Sequence, residues 1–112
     1  MKLLIVILKK EELVEEVLKG LAEHGVKGGT VLEGTGMAQM LYDMEDLPIF
    51  SVLRRALTEE DSESSHVLLF ALKSEQAAEA AGIIKQVAGN LSEPNTGILF
   101  TVPIDYIEGL GE

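Results

Sequence analysis

The chain has 112 residues, of which 46% are hydrophobic and 25% charged, and its 9 basic and 19 acidic side chains give a formal net charge of −10. This composition is too apolar for a disordered chain and fits one domain over residues 1–112, while the acidic balance disfavours nucleic acid and anionic membranes as partners. Because the sequence contains no cysteine, it excludes disulfides, thiolate metal sites and cysteine catalysis.

The first two predicted elements are a strand and a helix. Residues 3–8 form an unbroken apolar run that is too short to span a membrane and is followed by charged residues rather than a cleavage site. The run therefore favours a buried strand, and we expect a cytoplasmic protein. Apolar residues then recur with helical spacing from Leu13 to Ala22, behind a first turn of glutamates. Gly25 is expected to end this helix.

A second strand and a connecting segment follow. Residues 30–33 predict the strand, and Gly34-Thr35-Gly36 marks its end. Residues 37–47 are expected to form a loop. A proline followed by apolar residues at helical spacing predicts a short helix at 48–57.

The second half of the chain contains a strand, a helix and a final strand. Consecutive apolar residues predict the strand at 66–72. Ser74 is a favourable N-cap for a long helix whose apolar face consists largely of alanine. After a loop at 89–96, the last strand is predicted at 98–102, where Pro103 ends it because proline has no N–H for the sheet.

The order of these elements predicts an α+β fold of the ferredoxin-like type, βαββαβ. Right-handed crossovers place both long helices on one face of an antiparallel four-stranded sheet. The strands at 3–8 and 66–72 are apolar at successive positions, so their side chains make both faces of the sheet apolar. Two candidates stay open for covering the second face: the short helix 48–57, or the same face of further copies in a closed homo-oligomer, which we favour.

Four stretches of the sequence carry a family resemblance. They are Met1-Lys2-Leu3-Leu4-Ile5-Val6-Ile7, the segment 21–31, Gly34-Thr35-Gly36 with Gln39 after it, and the segment 97–105 with Gly111-Glu112 at the end. In this order and spacing, they resemble the nitrogen regulatory protein P-II family and its P-II-like relatives over nearly the whole chain.

The resemblance implies a homotrimer with ligands in clefts between subunits and a flexible T-loop that reports the ligand state to a partner protein, such as a transporter or a metabolic enzyme. Family members are signal-transduction proteins of nitrogen metabolism; they bind ATP or ADP, and many bind 2-oxoglutarate with magnesium. Where the family carries an arginine after the second T-loop glycine, a lysine before the last strand and a C-terminal arginine pair, this chain has other residues. They are Met37, Ile98, Glu108 and Leu110. The sequence therefore leaves the ligand open between a nucleotide and another small anion.

The ligand cleft is predicted to have two walls. Gly34-Thr35-Gly36 offers backbone N–H groups to a ligand, and Gln39 offers an amide beside them. The remaining cleft residues are Met37, Asn90, Asn95, Thr96 and Gly97. All of these also fit an ordinary strand end and ordinary turns. A protein partner is expected to bind through residues 37–65.

Two other functions stay open. The CutA family shares the fold and would hold a divalent ion with histidine and carboxylate ligands, but the only histidines, His24 and His66, have no spacing that requires them to meet. We therefore assign no metal site. A small ferredoxin-like enzyme is the other alternative, but the sequence has no nucleophile motif, metal signature or glycine-rich phosphate loop, so we do not expect catalysis.

Overall fold

The computed structural model describes residues 1–37, 40, 65–92 and 96–110. Its elements are β1 (Lys2–Leu8), α1 (Glu11–Glu23), β2 (Thr30–Gly34), β3 (Ser65–Leu72), α2 (Ser74–Ala88) and β4 (Gly97–Pro103). This order confirms the α+β, ferredoxin-like βαββαβ arrangement. The short helix predicted at 48–57 lies outside the described residues.

The four strands form one antiparallel sheet in the order β2-β3-β1-β4. β1 pairs with β3 on one side and with β4 on the other, so β2 and β4 are the edge strands. Leu8 lies opposite both His66 of β3 and Gly97 of β4, and Gly34 lies opposite Ser65. The last residue of β2 and the first residue of β4 are therefore at the same end of the sheet but on opposite edges.

One face of the sheet carries the hydrophobic core, as predicted for a sheet with both helices on one side. The core residues are Leu4, Val6, Leu8, Val14, Val17, Leu21, Val26, Leu68, Phe70, Leu72, Ala77, Ala80 and Ile84. Full burial of each large aliphatic side chain stabilises the fold by about 1.5–3 kcal/mol. The helices also approach each other closely, since a Cβ on Gly20 of α1 would lie 3.3 Å from Cγ2 of Ile83.

The end of α1 confirms the predicted glycine stop. The N–H of Gly25 donates to the carbonyl of Ala22 at 3.1 Å, and the N–H of Val26 donates to the carbonyl of Leu21 at 2.9 Å. This pair of bonds is the Schellman motif, which needs a residue of positive φ after the cap. Gly25 supplies it with φ of 89°.

Two local predictions are wrong. Ser74 is the first residue of α2, and the cap is Lys73, whose carbonyl accepts the N–H of Ala77 at 2.8 Å. No side-chain hydrogen bond caps the first turn of this helix, so the capping tendency of serine is not used here. Within the predicted loop at 37–47, Met37 and Met40 are helical, and the N–H of Met40 donates to the carbonyl of Gly36 at 3.1 Å. Methionine is a good helix former, and the glycines mark only the end of the strand.

The second face of the sheet, which we call the open face, is also apolar. Because cross-strand partners share a face, the register assigns it the polar side chains of Thr30 and Ser65 at the margins of β2 and β3 and otherwise apolar ones, namely Leu3, Ile5, Ile7, Leu32, Val67, Leu69, Ala71, Ile98, Phe100 and Val102. Both helices lie on the other side. Leu32 remains 49% exposed and Ile98 52% exposed in the single chain. The prediction that both faces are apolar is confirmed.

Candidate functional site

The predicted ligand residues form two groups at one end of the sheet. The β2 wall, Gly34–Met37, begins at the last residue of β2. The β4 wall consists of Asn90 and Thr96, which precede β4, and of Gly97, its first residue. Gln39 and Asn95 lie outside the described residues, as does most of the predicted partner segment 37–65.

The β2 wall presents backbone and small side chains to solvent. Thr35 is exposed, and Met37 is 78% exposed. A Cβ built on Gly36 would meet nothing within 4 Å, so the space beside this residue is open. A ligand therefore has access to the backbone and to the Thr35 hydroxyl.

The β4 wall is held in place by the end of β1. The carbonyl of the buried Thr96 accepts the backbone N–H of Lys9 at 3.4 Å. A Cβ on Gly97 would collide with the carbonyl oxygen of Ile7 and lie 2.9 Å from Cδ2 of Leu8. Gly97 thus has a structural role of its own, because only glycine lets β4 begin this close to β1.

Asn90 has a local structural role as well. Its side-chain carbonyl oxygen accepts the N–H of Ser92 at 3.0 Å, which is an Asx-type turn contact. The residue is exposed.

The two walls do not meet in a single chain. They lie on opposite edge strands, three strand spacings apart, which is about 14 Å at about 4.8 Å per spacing. β3 and β1 lie between them, with Ser65 and Leu8 at the intervening positions. A small ligand in hydrogen-bond contact with one wall is therefore too far from the other wall of the same chain.

A cavity that the sequence did not single out lies at the other end of β2, where open-face residues meet Leu72 of the core face and Gln76 of α2. It has a volume of about 530 Å³ and is lined by Leu3, Gly25, Val26, Lys27, Gly28, Gly29, Thr30, Leu69, Ala71, Leu72, Gln76 and Leu110. An apolar floor with a few polar groups at one side, in this range of volume, is typical of a small-molecule site. In the sequence, the only sign of this cavity was the glycine pair Gly28-Gly29. In the structure, a Cβ on Gly29 would collide with the ring of Phe70, so this position requires glycine.

The two histidines have separate surroundings. Nδ1 of His24 donates to the carbonyl of Gly20 at 2.9 Å, at the end of α1. His66 lies in β3 opposite Glu33 of β2. Over residues 1–37, 40, 65–92 and 96–110, no cluster of three or more histidine and carboxylate side chains is placed to hold a metal ion. In the same part of the chain, no helix has the length and hydropathy to cross a bilayer.

Comparison with known proteins adds no relative. Neither a scan against protein-family models nor a search of curated proteins finds a match for this chain.

Proposed function

We propose that the chain is a P-II-like regulatory protein, a homotrimer that senses a small molecule in clefts between subunits. The ligand is a nucleotide or a small anion, and residues 37–65 pass the ligand state to a partner protein. The observation that carries this proposal is the open face, a complete sheet surface without a charged side chain on a chain of net charge −10.

The open face favours association with further copies. Four strands about 4.8 Å apart and about five residues deep cover roughly 300 Å² in projection, which is at the scale where exposed apolar patches mark interaction sites. The acidic remainder of the surface opposes contact between identical chains. Association is therefore favoured at the face that has no charge.

A closed assembly also explains the separation of the two walls. If each copy contributes its β2 wall to one cleft and its β4 wall to the next, two half-sites that are about 14 Å apart within a chain become opposing walls of a cleft between chains. The residues of one wall, Gly34–Met37, and those of the other, Thr96 and Gly97, then contact one ligand.

The cavity beside Gly28 and Gly29 supports a ligand with an apolar part and an anionic group. Leu69, Ala71 and Leu110 line it without charge, and Lys27 at its border provides a cation. Because the cavity lies at the other end of β2 from Met37, it would hold such a ligand apart from the two walls.

A thermal-shift panel of ATP, ADP, AMP, 2-oxoglutarate, bicarbonate and divalent metals tests the proposal. A ligand that binds the folded protein raises its melting temperature. We expect the melting temperature to rise with at least one nucleotide or small anion. Gly36→Ala should reduce this rise, because the added methyl group projects into the open space at the β2 wall that the ligand is expected to occupy. Gly82→Ala is the matched control: its Cβ also meets nothing within 4 Å, but it lies in α2 away from both walls.

Three results would contradict the proposal. A well-folded trimer that shifts with none of these ligands is not a sensor of this class. A shift that Gly36→Ala and Gly82→Ala leave equally intact places the ligand elsewhere. Stoichiometric divalent metal in the purified protein, by elemental analysis, favours the CutA-like alternative.

A further inference from the structure

A cavity that contains no residue of either wall lies between α2 and the edge strand β4, and we call it the α2–β4 cavity. It has a volume of about 310 Å³. The alanine face of α2 forms one side, with Ala78 and Ala81, and Leu99 of β4 contributes to the other. Because alanine side chains are short, they leave space beside the strand that longer side chains would fill.

One end of the α2–β4 cavity is polar. Lys2 of β1, Ser74 at the start of α2 and Thr101 of β4 line it there. Lys2 lies opposite Leu72 and Pro103, so it is on the face of the sheet that the helices cover. Thr101 is its diagonal neighbour on that face, at a spacing of about 7–8 Å that a long side chain is able to span. An ammonium group and two hydroxyl groups therefore lie at the same end of an otherwise apolar cavity.

These polar groups are available to a ligand. Within the part of the chain that the structure describes, Lys2 has no ion pair, and the hydroxyls of Ser74 and Thr101 have no hydrogen bond to the protein. None of the described lining residues is acidic, although the whole chain carries a net charge of −10. Lys2 is half-buried. A partly desolvated cation gains more from an anionic partner than a fully exposed cation does.

We propose that the α2–β4 cavity binds a short aliphatic carboxylate, with the carboxylate group at Lys2 and the hydrocarbon chain between Ala78 and Leu99. The ammonium group and the hydroxyls of Ser74 and Thr101 donate to the carboxylate oxygens, which accept several hydrogen bonds at once. The hydrocarbon chain covers apolar surface of α2 and β4 and removes it from water. The site is independent of the proposed function, because it lies at the opposite end of the sheet from the two walls.

The size and charge of the cavity favour this class of ligand over a nucleotide. Small-molecule sites span about 300–1,000 Å³, and the α2–β4 cavity is at the lower end of that range. The phosphates of a nucleotide carry several negative charges and require several cations, whereas Lys2 is the one basic residue among the described lining residues. A single carboxylate matches a single ammonium group.

Titration of the unmodified protein with hexanoate, followed by the backbone amide signals in NMR, tests the proposal. Hexanamide is the control ligand, because it has the same chain length and no charge. We expect hexanoate to shift the signals of residues 74–81 and 99–101. Hexanamide should bind at least about tenfold more weakly, because a hydrogen bond to a charged group contributes more than a neutral one does.

Substitution of Lys2 tests the recognition of the charge. Lys2→Gln should weaken hexanoate binding by about tenfold or more, because the ammonium group is lost. Lys2→Arg keeps the positive charge and should retain binding. Lys85→Gln is the matched control: it removes the same charge from an exposed position of α2 outside the cavity, and should bind hexanoate as the wild type does.

Substitution of Ala78 tests the apolar part of the site, and it covers the case in which the Lys2 variants fail to fold. Ala78 is exposed, so a leucine there is tolerated, and its side chain occupies the space of the ligand. We expect Ala78→Leu to abolish the shifts caused by hexanoate. Gln86→Leu, at an exposed position of the same helix outside the cavity, is the control and should leave them unchanged.

Four results would overturn this site. The first is that hexanoate causes no shifts in the wild type, and the second is that hexanamide binds equally well. The third is that the largest shifts occur at Gly28–Thr30, which would place the ligand in the cavity beside the two glycines. The fourth is that Lys2→Gln and Ala78→Leu both bind hexanoate with unchanged affinity. Each of these results leaves the proposed function standing, because none involves the two walls.

Discussion

A lysine in place of Ile98 on the open face should prevent assembly of the chains without preventing the single chain from folding. In the single chain Ile98 is 52% exposed on an edge strand. A lysine there is able to lay its aliphatic stem on the sheet and keep its ammonium group in water. We therefore expect Ile98→Lys to leave the folded chain intact and to disfavour the proposed trimer, in which further copies would cover this position.

The size of the effect follows from the burial of Ile98. Full burial of an isoleucine is worth about 1.5–3 kcal/mol, so the exposed half contributes about 1 kcal/mol per chain on assembly. For three chains, the loss of this apolar contribution weakens the association constant by roughly 100-fold. Burying the lysine charge raises the free-energy cost of assembly by several further kcal/mol per charge, because no carboxylate lies on the open face to pair with it. The variant should be monomeric at micromolar concentration.

Sedimentation velocity provides the assay, with circular dichroism to verify folding. Tyr106→Lys is the control: it makes the same charge change at a position that is 74% exposed and outside the sheet. We expect the wild type and Tyr106→Lys to sediment as trimers, and Ile98→Lys as a folded monomer. If Ile98→Lys sediments as the wild type does, further copies do not cover the open face and the reasoning fails.

The remaining predictions concern the free energy of unfolding, measured by urea denaturation at one fixed protein concentration. Gly97→Ala should destabilise the protein by about 1–3 kcal/mol, because its Cβ collides with the Ile7 carbonyl oxygen; an unchanged value would show that β4 does not begin this close to β1. Gly82→Ala should stabilise it by about 0.5–1 kcal/mol, because alanine is a better helix former and its Cβ meets no neighbour; a loss of stability would contradict the open site. Leu21→Ala should cost about 2–5 kcal/mol, since the side chain is fully buried in the core, and a cost below 1 kcal/mol would contradict that burial.

Periodicity identified the elements whose signals are strong and local. The helical stripe of α1 and the glycine that ends it depend on residues within a few turns, and the structure places both where the sequence indicates. The consecutive apolar residues of β1 and β3 also indicated a sheet with two apolar faces. The order of elements and the handedness of the crossovers predicted an antiparallel four-stranded sheet with both helices on one face, and the structure adds the strand order β2-β3-β1-β4.

Features that depend on distant segments were not predictable. α2 begins after Lys73 without a side-chain cap hydrogen bond, and the local capping tendency of Ser74 did not indicate this. The cavity beside Gly28 requires that Leu69, Gln76 and Leu110 converge, although they belong to three separate segments. The two predicted walls were each identifiable from turn residues, but their placement on opposite edges follows only from the strand register.

The mass of the unmodified protein in solution tests the central claim most directly. Sedimentation equilibrium at low micromolar concentration should give three times the mass of the 12.1 kDa chain. A stable species of one chain mass under the same conditions would contradict the account, because a single chain has only one β2 wall and one β4 wall, and they lie on opposite edges of its sheet.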